Sequence, residues 1–269
     1  SKYLVASGGF FMNSVLNGKI LEHTNFKNLY IPYAPTDAGN SIGAALYIAH
    51  CIFNKKRKKL DNKSFIGPSF SEKTVTKILK SKLINFKKIN QNFSKTVAEL
   101  IVKDKILAFF DGSMEFGDRA LGNRSILADP RDNQIKDKIN SAIKFREPFR
   151  PFAPVVLEEK VAEFFDVDSN FHNQYMEKVV KVKKKYAKQI PAVVHFDGTC
   201  RVQTINKFRE PKLYKILKEF EKISGLPILL NTSFNLNGEP IVLSPDDAIS
   251  TFYKSGLKQM IIQGHLITK

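Results

Sequence analysis

Short apolar runs alternate with polar turns along most of this chain, and many of the turns contain glycine or proline. Runs of about four to eight apolar residues between such turns are typical of buried strands. On this basis strands are predicted at residues 3–7, 29–32, 106–110, 152–157, 190–195, 227–230 and 259–263.

Between these runs, apolar residues at helical spacing predict amphipathic helices. The clearest covers residues 211–224, because Pro211 suits its first turn and Gly225 follows its end. Ser244 and Pro245 form an equally clear helix start. Strands and helices mix without strict alternation, so the predicted fold class is α/β in its mixed α+β form. Further helices are predicted at 42–53, which we expect to be buried, and at 71–82, 94–103, 132–142 and 158–165.

Domain organisation follows from a change of composition near residue 60. Residues 54–68 are polar and basic and end in Gly-Pro, which is typical of a linker. A length of 269 residues suits one large or two modest domains, and we predict two, at 1–60 and 61–269. The chain starts with SKYLVASGGF, without a start methionine or a signal peptide, so we expect a fragment. No apolar run approaches the roughly 18 residues of a membrane span, so no membrane partner is expected.

The charge is strongly positive, with 43 Lys and Arg residues against 26 acids and a formal net charge of +17. Such a charge suggests phosphate-bearing partners, but the lysine tracts at 55–59 and 178–185 have the pattern of solvated surfaces. Cys51 and Cys200 are far apart, and no Cys/His cluster suggests zinc. The absence of a disulfide framework indicates a reducing compartment, so a cytoplasmic location is predicted.

The segment at 114–150 carries the most informative chemistry. Its cations lie among glycines and prolines, on turns, where arginine is suited to bidentate contacts with phosphate oxygens. Some of them could instead form structural pairs with Glu115, Asp118 or Asp129. The cations are Arg119, Arg124, Arg131, Lys144, Arg146 and Arg150.

Three shorter motifs could support the same chemistry, and each also has a purely structural explanation. Ser7, Gly8 and Gly9 could bring backbone N–H groups to a phosphate, or could simply form a turn. Asp37 could cap a helix, or could contact a metal ion or a ribose. The segment NTSFN at 231–235 offers neutral donors after a strand, or is an ordinary polar turn.

The sequence lacks the motifs of several common enzyme classes. It has no P-loop of the GxxxxGK[ST] type and no HExxH pair. Arg201 adds a further cation after the predicted strand at 190–195. Cations and neutral donors suit a reaction that needs positioning and charge neutralisation, such as transfer at an activated phosphoanhydride.

The chain contains, in order, the segments ASGGFFMNSVLNGKI, IPYAPTDAGNSIGAAL, MEFGDRALGNRSILADPR, FREPFRPFAPVVLEE, FDGTCRVQTI and LPILLNTSFNLNGEPIV. Together they resemble the O-carbamoyltransferase family of the NodU and TobZ kind. The likeness extends over nearly the whole chain, which makes it more specific than any single motif. It implies the end of a TsaD-like domain of the actin-like ATPase superfamily at 1–60, and a YrdC-like twisted-sheet domain at 61–269.

This resemblance implies an ATP-dependent reaction in two stages. The YrdC-like domain forms carbamoyl adenylate and pyrophosphate from carbamoyl phosphate and ATP with Mg. The TsaD-like domain then transfers the carbamoyl group to an acceptor hydroxyl on a sugar, an antibiotic precursor or a glycan precursor. An iron-type divalent metal is implied for the full-length protein only, because the N-terminal half of the TsaD-like domain, with its HxxxH ligands, is missing here.

The resemblance also assigns roles to residues of this chain. Catalytic contacts with carbamoyl phosphate are implied for Arg119, Lys144, Arg150 and Arg201. Substrate binding is implied for Arg124, Arg146, Asn231, Thr232, Ser233 and Asn235. Nucleotide binding is implied for Gly8, Gly9, Asn13 and Gly39, and metal binding for Asp37.

Two other functions are compatible with the sequence. A role in making threonylcarbamoyl adenosine on tRNA would use the positive charge, but the segment at 114–150 resembles the carbamoyltransferases instead, so nucleic acid is not the expected partner. A non-catalytic module that binds phosphates or a protein partner would bind nucleotide without turnover.

Overall fold

The computed structural model describes residues 1–57, 63–147 and 150–269. The predicted domain border at residue 60, the linker at 54–68 and the lysine tract at 55–59 lie partly or wholly outside these residues. Pro148 and Phe149, in the basic segment 114–150, are also outside them. The division into two domains therefore stays a prediction.

Most of the strands pair into one large mixed sheet, with two small pairs beside it. The central strands are rich in Ile, Leu, Val and Phe, which suit a pleated surface buried on both sides. The strands are β1 (Tyr3–Val5), β2 (Asn28–Tyr30), β3 (Lys87–Lys88), β4 (Ile106–Phe110), β5 (Arg124–Ala128), β6 (Ala153–Leu157), β7 (Val180–Lys181), β8 (Thr199–Cys200), β9 (Gln203–Ile205), β10 (Ile228–Ser233), β11 (Gln259–Ile262) and β12 (His265–Thr268).

Neighbouring strands of the large sheet follow the order β3-β12-β11-β4-β5-β10-β6-β9. The pairs β4–β11 and β6–β9 are parallel, and the other neighbours are antiparallel. The central strands β4, β5, β10 and β6 are almost wholly buried. A mixed sheet combined with helices confirms the predicted mixed α and β class.

Helices α4 and α8 pack closely against each other and against the sheet. Short 3₁₀ and π-helical turns extend several other helices. The helices are α1 (Ser14–Lys19), α2 (Asn40–Tyr47), α3 (Glu72–Ser81), α4 (Phe93–Asp104), α5 (Ile135–Ile139), α6 (Val161–Phe164), α7 (Lys184–Ala187), α8 (Pro211–Ser224) and α9 (Pro245–Lys254).

Helix α8 begins and ends where the sequence predicts. Pro211 occupies its first turn, and Gly225 ends it in a left-handed conformation with φ of 75°. Its buried stripe recurs at helical spacing and packs into the core. Each fully buried side chain of this kind stabilises the fold by about 1.5–3 kcal/mol. The stripe consists of Leu213, Ile216, Leu217 and Phe220.

Two predicted helix starts are also confirmed. The Ser71 hydroxyl accepts a hydrogen bond of 3.1 Å from the Thr74 N–H at the start of α3. At the start of α9, Ser244 and Asp247 form a reciprocal capping box. Among the described residues, no helix is long and apolar enough to cross a membrane.

The N-terminal elements are present but are not buried as predicted. β1 and β2 form a separate parallel pair, in which Tyr3 and Val5 are 70% and 72% exposed. Helix α2 continues as a π-helical turn at Ile48–Ile52, and Tyr47 is 61% exposed. In the same region Ile48 and Ile52 are 47% and 58% exposed, whereas Ile42 and Leu46 are half-buried.

Other predictions are wrong in their element or in its bounds. The strand predicted at 190–195 is a 3₁₀ turn at Pro191–Val193, because proline has no N–H to donate to a ladder. Helix α5 begins at Ile135 instead of Asp132. The sequence analysis also missed β5, inside the segment assigned to turns, and β12, which forms a hairpin with β11.

Candidate functional site

A small cavity of about 120 Å³ opens at one end of the large sheet. β10 ends there, and β5, β6 and β9 begin there, because β10 runs antiparallel to β5 and β6 while β9 runs parallel to β6. The strand register places Asn231 opposite Ala153, and both residues border the cavity. The polar side chains that border it include Arg119, Arg146, Arg201, Asn231, Thr232 and Ser233.

Arg119 and Arg201 face this cavity without a partner. Neither guanidinium makes an ion pair or a hydrogen bond with a residue of the described ranges 1–57, 63–147 and 150–269, and the Nε of Arg201 is buried and unsatisfied. Burial, together with the nearby charges of Arg119 and Arg146, lowers the pKa of Arg201 to about 9. Burial also lowers the pKa of Arg119, although Asp118 acts in the opposite direction. Such a cluster favours a bound anion, which would replace the missing counter-charge.

Arg146 is the third arginine of the cavity, and it is held by its neighbours. Its Nε donates to the Asn140 Oδ1 at 2.8 Å, and its guanidinium carbon lies 4.8 Å from the ring centre of Phe152. Phe145, just before it, has φ of 46°, a left-handed conformation that is uncommon for a bulky residue. That conformation ends the preceding π-helical turn and so separates Arg146 from the buried Lys144.

Lys144 lies behind the cavity wall and does not line it. Its ammonium donates to the carbonyl and hydroxyl oxygens of Ser233 at 2.6 and 3.1 Å, and to the Asn235 Oδ1 and carbonyl at 2.6 and 3.1 Å. Burial, and to a lesser extent Arg146, lowers its pKa to about 7. Lys144 therefore reaches a ligand in the cavity only through Ser233.

Two further predicted residues around this region, Arg150 and Asn235, make contacts outside the cavity. The Arg150 Nε forms an ion pair of 2.9 Å with the Glu147 carboxylate, and the Arg150 side chain is 50% exposed. The Asn235 amide N–H donates to the Glu239 carbonyl at 2.7 Å. Thr232 borders the cavity, and Asn231, Thr232 and Ser233 belong to β10 instead of a turn.

Arg124 is the clearest disagreement with the predicted binding residues. Its side chain is fully buried, and its guanidinium lies 3.7 Å from the ring centre of Phe110. Its two terminal nitrogens donate to four backbone carbonyls, those of Pro68, Asp111, Gly112 and Asn123, at 2.9–3.2 Å. Because its terminal nitrogens already donate to these carbonyls, Arg124 holds the loops around residues 68 and 111 together. It does not border the cavity.

The predicted nucleotide and metal residues lie together in the N-terminal part. Gly8 has φ of 109°, and its N–H donates to the Pro35 carbonyl at 2.6 Å. Asn13 caps α1 by accepting from the Leu16 N–H at 3.1 Å, so its side-chain oxygen has a structural partner. Gly9 is exposed in the 3₁₀ turn that follows Gly8.

The loop at 34–39 connects this part to the cavity. A Cβ at Gly39 would lie 2.1 Å from the Ala34 carbonyl oxygen, so this close packing requires glycine. The Thr36 hydroxyl donates to the Asp118 carboxylate at 3.2 Å, and Asp118 borders the cavity. Asp37 is exposed on the 3₁₀ turn that follows.

The described residues do not fit an iron-type metal. No three His, Cys, Asp or Glu side chains among them form a group that could hold a metal ion. Asp37 alone offers one carboxylate, whereas a transition metal takes several ligands of defined geometry. A metal role for Asp37 stays a prediction for a longer protein.

Sequence reasoning assigned no role in the site to Gln203, a polar residue behind the cavity wall, or to Asp118, which borders the cavity. Gln203 is fully buried in β9 and contacts Asn231. The sequence signal for Gln203 was the single amide in the segment VQTI. A buried amide needs hydrogen-bond partners, so its presence in a buried strand indicates a polar contact there.

Comparison with known proteins places these features in a family. The description "Carbamoyltransferase C-terminus" matches residues 98–269, which include every polar residue of the cavity, and "Carbamoyltransferase N-terminus" matches residues 1–46. The chain is 39% identical over 271 residues to "Uncharacterized protein MJ1058" of Methanocaldococcus jannaschii, covering 99% of this chain and 44% of that protein. It is 36% identical over 269 residues to "Nodulation protein NolO" of Bradyrhizobium diazoefficiens, covering 99% and 49%.

The chain spans about half the length of the curated relatives that it matches. A solved structure of full-length HypF "in the phosphate- and nucleotide-bound form" covers 64% of this chain and 21% of that one, at 16% identity and a TM-score of 0.43, which is too low to support an argument. The family descriptions match most of the chain, and the sequence identity to its relatives extends from end to end. On this evidence the chain belongs to the carbamoyltransferase family.

Proposed function

We propose that the cavity binds carbamoyl phosphate and uses ATP to convert its carbamoyl group into carbamoyl adenylate. The observation that carries this proposal is the pair Arg119 and Arg201, which lies beside Arg146 and has no partner among the described residues. Carbamoyl phosphate is a small dianion, and guanidinium groups bind phosphate oxygens through paired N–H donors. Because the site is partly buried, its charges act in a medium of low dielectric constant and are stronger than at the surface.

The size of the cavity supports a small ligand. Its volume is about 120 Å³, whereas pockets for drug-sized ligands have about 300–1,000 Å³. It therefore suits an acyl phosphate and not a whole nucleotide. In our proposal the phosphates of ATP approach the arginines from the mouth, near Asp118, and the adenosine lies outside.

The proposed chemistry needs water as a third reactant for its atoms to balance. The phosphoryl group of carbamoyl phosphate goes to water as inorganic phosphate. The freed carbamate oxygen attacks the α-phosphorus of ATP, and pyrophosphate leaves. Arg119, Arg146 and Arg201 neutralise charge on the phosphates, and Ser233, held by Lys144, offers a neutral contact.

The second stage, transfer to an acceptor hydroxyl, belongs in this proposal to the longer protein. The chain spans about half of its relatives, so the acceptor and any metal required for transfer are assigned to the whole protein. The resemblance of residues 1–60 to a TsaD-like domain and of 61–269 to a YrdC-like domain fits this division of labour. The exposed apolar side of α2 lies in the first of these parts.

The first test is isotope exchange between pyrophosphate and ATP. The chain is incubated with ATP, Mg and labelled pyrophosphate, with and without carbamoyl phosphate. We expect label to enter ATP only when carbamoyl phosphate is present, together with release of inorganic phosphate. Binding of carbamoyl phosphate without any exchange would instead support a non-catalytic phosphate-binding module.

A second prediction concerns pH. Lys144 has a pKa of about 7, so the free site loses a positive charge as pH rises above 7. A bound dianion favours the protonated amine, so binding above pH 7 is accompanied by the uptake of a proton. The affinity for the anion is therefore expected to fall as pH rises, by up to about tenfold per pH unit. Calorimetric titration with inorganic phosphate, in two buffers of different ionisation enthalpy, measures both effects.

The matched control for this pH effect is Lys144→Met. This variant is expected to bind phosphate more weakly at pH 7, with less proton uptake and a shallower dependence between pH 7 and 8. Equal slopes in parent and variant would show that the Lys144 ammonium is not linked to anion binding.

A further inference from the structure

Asp118 is an acidic residue on the border of a cavity that is rich in cations. It borders the cavity beside Arg119, and its side chain is exposed. Its negative charge raises the pKa of Arg119, against the larger effect of burial, so the two side chains are close. Arginine uses the same N–H donors for carboxylates and for phosphates. A carboxylate in this position could therefore take the donors of Arg119 that a phosphate needs.

The structure shows a different partner for this carboxylate. The Thr36 hydroxyl donates to the Asp118 Oδ2 at 3.2 Å. Within the described residues, Asp118 and Arg119 share neither an ion pair nor a hydrogen bond, although they are neighbours in sequence. The Asp118 carboxylate is thus directed toward the loop at 34–39, and the guanidinium of Arg119 stays available to a ligand of the cavity.

Contacts with the N-terminal part fix the position of Thr36. The carbonyl of Pro35, the residue before it, accepts hydrogen bonds from the Ser7 hydroxyl at 3.1 Å and from the Gly8 N–H at 2.6 Å. Two donors on one carbonyl tie the backbone at Pro35 to the turn that follows β1. The Thr36 hydroxyl is therefore presented to Asp118 by this turn.

The backbone beside Asp118 is fixed as well. Gly117 has φ of 117°, a conformation that favours glycine. A Cβ at Gly117 would lie 2.4 Å from the Tyr33 carbonyl oxygen, so the two loops touch backbone to backbone. This close contact holds Asp118 within reach of Thr36 and leaves the rotamer of Asp118 to decide which partner it meets.

We propose that Thr36 is a positioning residue, whose hydroxyl holds the Asp118 carboxylate away from Arg119 and so keeps Arg119 available to bind a phosphate. Without this hydroxyl, the carboxylate turns to Arg119 and competes with the ligand. The N-terminal part of the chain thereby sets the anion affinity of a cavity that residues 118–233 form. This inference rests on the proposed function only in treating the cavity as a phosphate site.

The test is a double-mutant cycle in which calorimetric titration measures the binding of inorganic phosphate at pH 7. Thr36→Val is expected to weaken binding by about three- to tenfold, because the phosphate must displace a carboxylate from Arg119. Asp118→Asn is expected to bind at least as tightly as the parent, since a negative charge leaves the border of the cavity. The double variant should match Asp118→Asn within about twofold, because the competing carboxylate is then absent.

Two control variants separate positioning from a general loss of structure. Thr36→Ser keeps a hydroxyl and is expected to retain the phosphate affinity of the parent. Thr24→Val makes the same chemical change where the hydroxyl donates to the Ile20 carbonyl and does not border the cavity, so its affinity should be unchanged. Equal affinities in Thr36→Val and the parent would overturn the inference. A loss from Thr36→Val that is as large with Asp118→Asn as without it would also overturn it.

The outcomes distinguish this inference from the proposed function. If the cycle gives the expected pattern but label from pyrophosphate never enters ATP, the inference stands and the proposed reaction fails. If exchange occurs and Thr36→Val binds phosphate like the parent, only the inference fails. A parent chain that binds no phosphate overturns both, because each of them requires an anion site at Arg119.

Discussion

Replacing Arg201 with glutamine is expected to weaken carbamoyl phosphate binding by roughly 100-fold. Arg201 borders the cavity, makes no ion pair with a described residue and has burial as the main cause of its lowered pKa. A bidentate contact between a guanidinium and a phosphate contributes about 3 kcal/mol, and about 1.4 kcal/mol corresponds to a tenfold change in affinity. Calorimetric titration of parent and variant at pH 7 gives this ratio directly.

The same substitution is expected to leave the free protein as stable as before, or to stabilise it. Burial beside Arg119 and Arg146 disfavours the charged form of Arg201, so a neutral side chain removes an unfavourable charge. Arg131→Gln is the matched control, because Arg131 pairs with Asp129 at 2.7 Å away from the cavity. Equal affinities in parent and Arg201→Gln, or equal losses in both variants, would contradict an anion site at Arg201.

Local sequence signals predicted the elements that depend on local contacts. Pro211 and Gly225 mark the ends of α8, and Ser244 marks the start of α9, because capping satisfies backbone groups within a few residues. The sequence also allows the prediction that Arg119, Arg146 and Arg201 lie close together. These cations lie on turns beside strands, and such turns are found at the ends of a sheet.

The roles of individual cations depend on contacts that are distant in sequence. Arg124 opens a strand whose register with β4 and β10 decides which side chains enter the core, and nothing local reveals that register. Lys144 is paired with Ser233 and Asn235, about ninety residues later. The NTSFN segment looked like a turn because its residues are polar, yet pairing with β5 extends β10 through Ser233.

Burial of a helix also depends on its surroundings and not on its sequence alone. The run at 42–53 is apolar enough to be buried, yet Tyr47 and Phe53 are 61% and 65% exposed. Periodicity indicates which side of a helix can be buried. It does not indicate whether the described chain contains the element that covers that side.

Replacing Arg124 with methionine is expected to destabilise the fold by about 3–5 kcal/mol, as breaking a buried charge network does. The change removes four hydrogen bonds and leaves the carbonyls of Pro68, Asp111, Gly112 and Asn123 without that donor. It also leaves Glu115, whose charge favours protonated Arg124, without its nearby cation. The midpoint temperature of thermal unfolding should therefore fall by roughly 10 °C, because a loss of about 1 kcal/mol in the free energy of unfolding lowers it by about 2–4 °C for a chain of this size.

The pattern across variants separates this structural role from the substrate-binding role that the sequence suggested for Arg124. Arg124→Lys keeps the charge but not the planar fork, so we expect an intermediate loss of stability and nearly unchanged phosphate affinity in the folded fraction. Lys222→Met is the surface control, because Lys222 is 68% exposed and its pair with Glu219 should contribute under about 1 kcal/mol. If Arg124→Lys instead unfolded at the temperature of the parent and lost phosphate binding, Arg124 would belong to the anion site, and the cavity would have to extend toward β5.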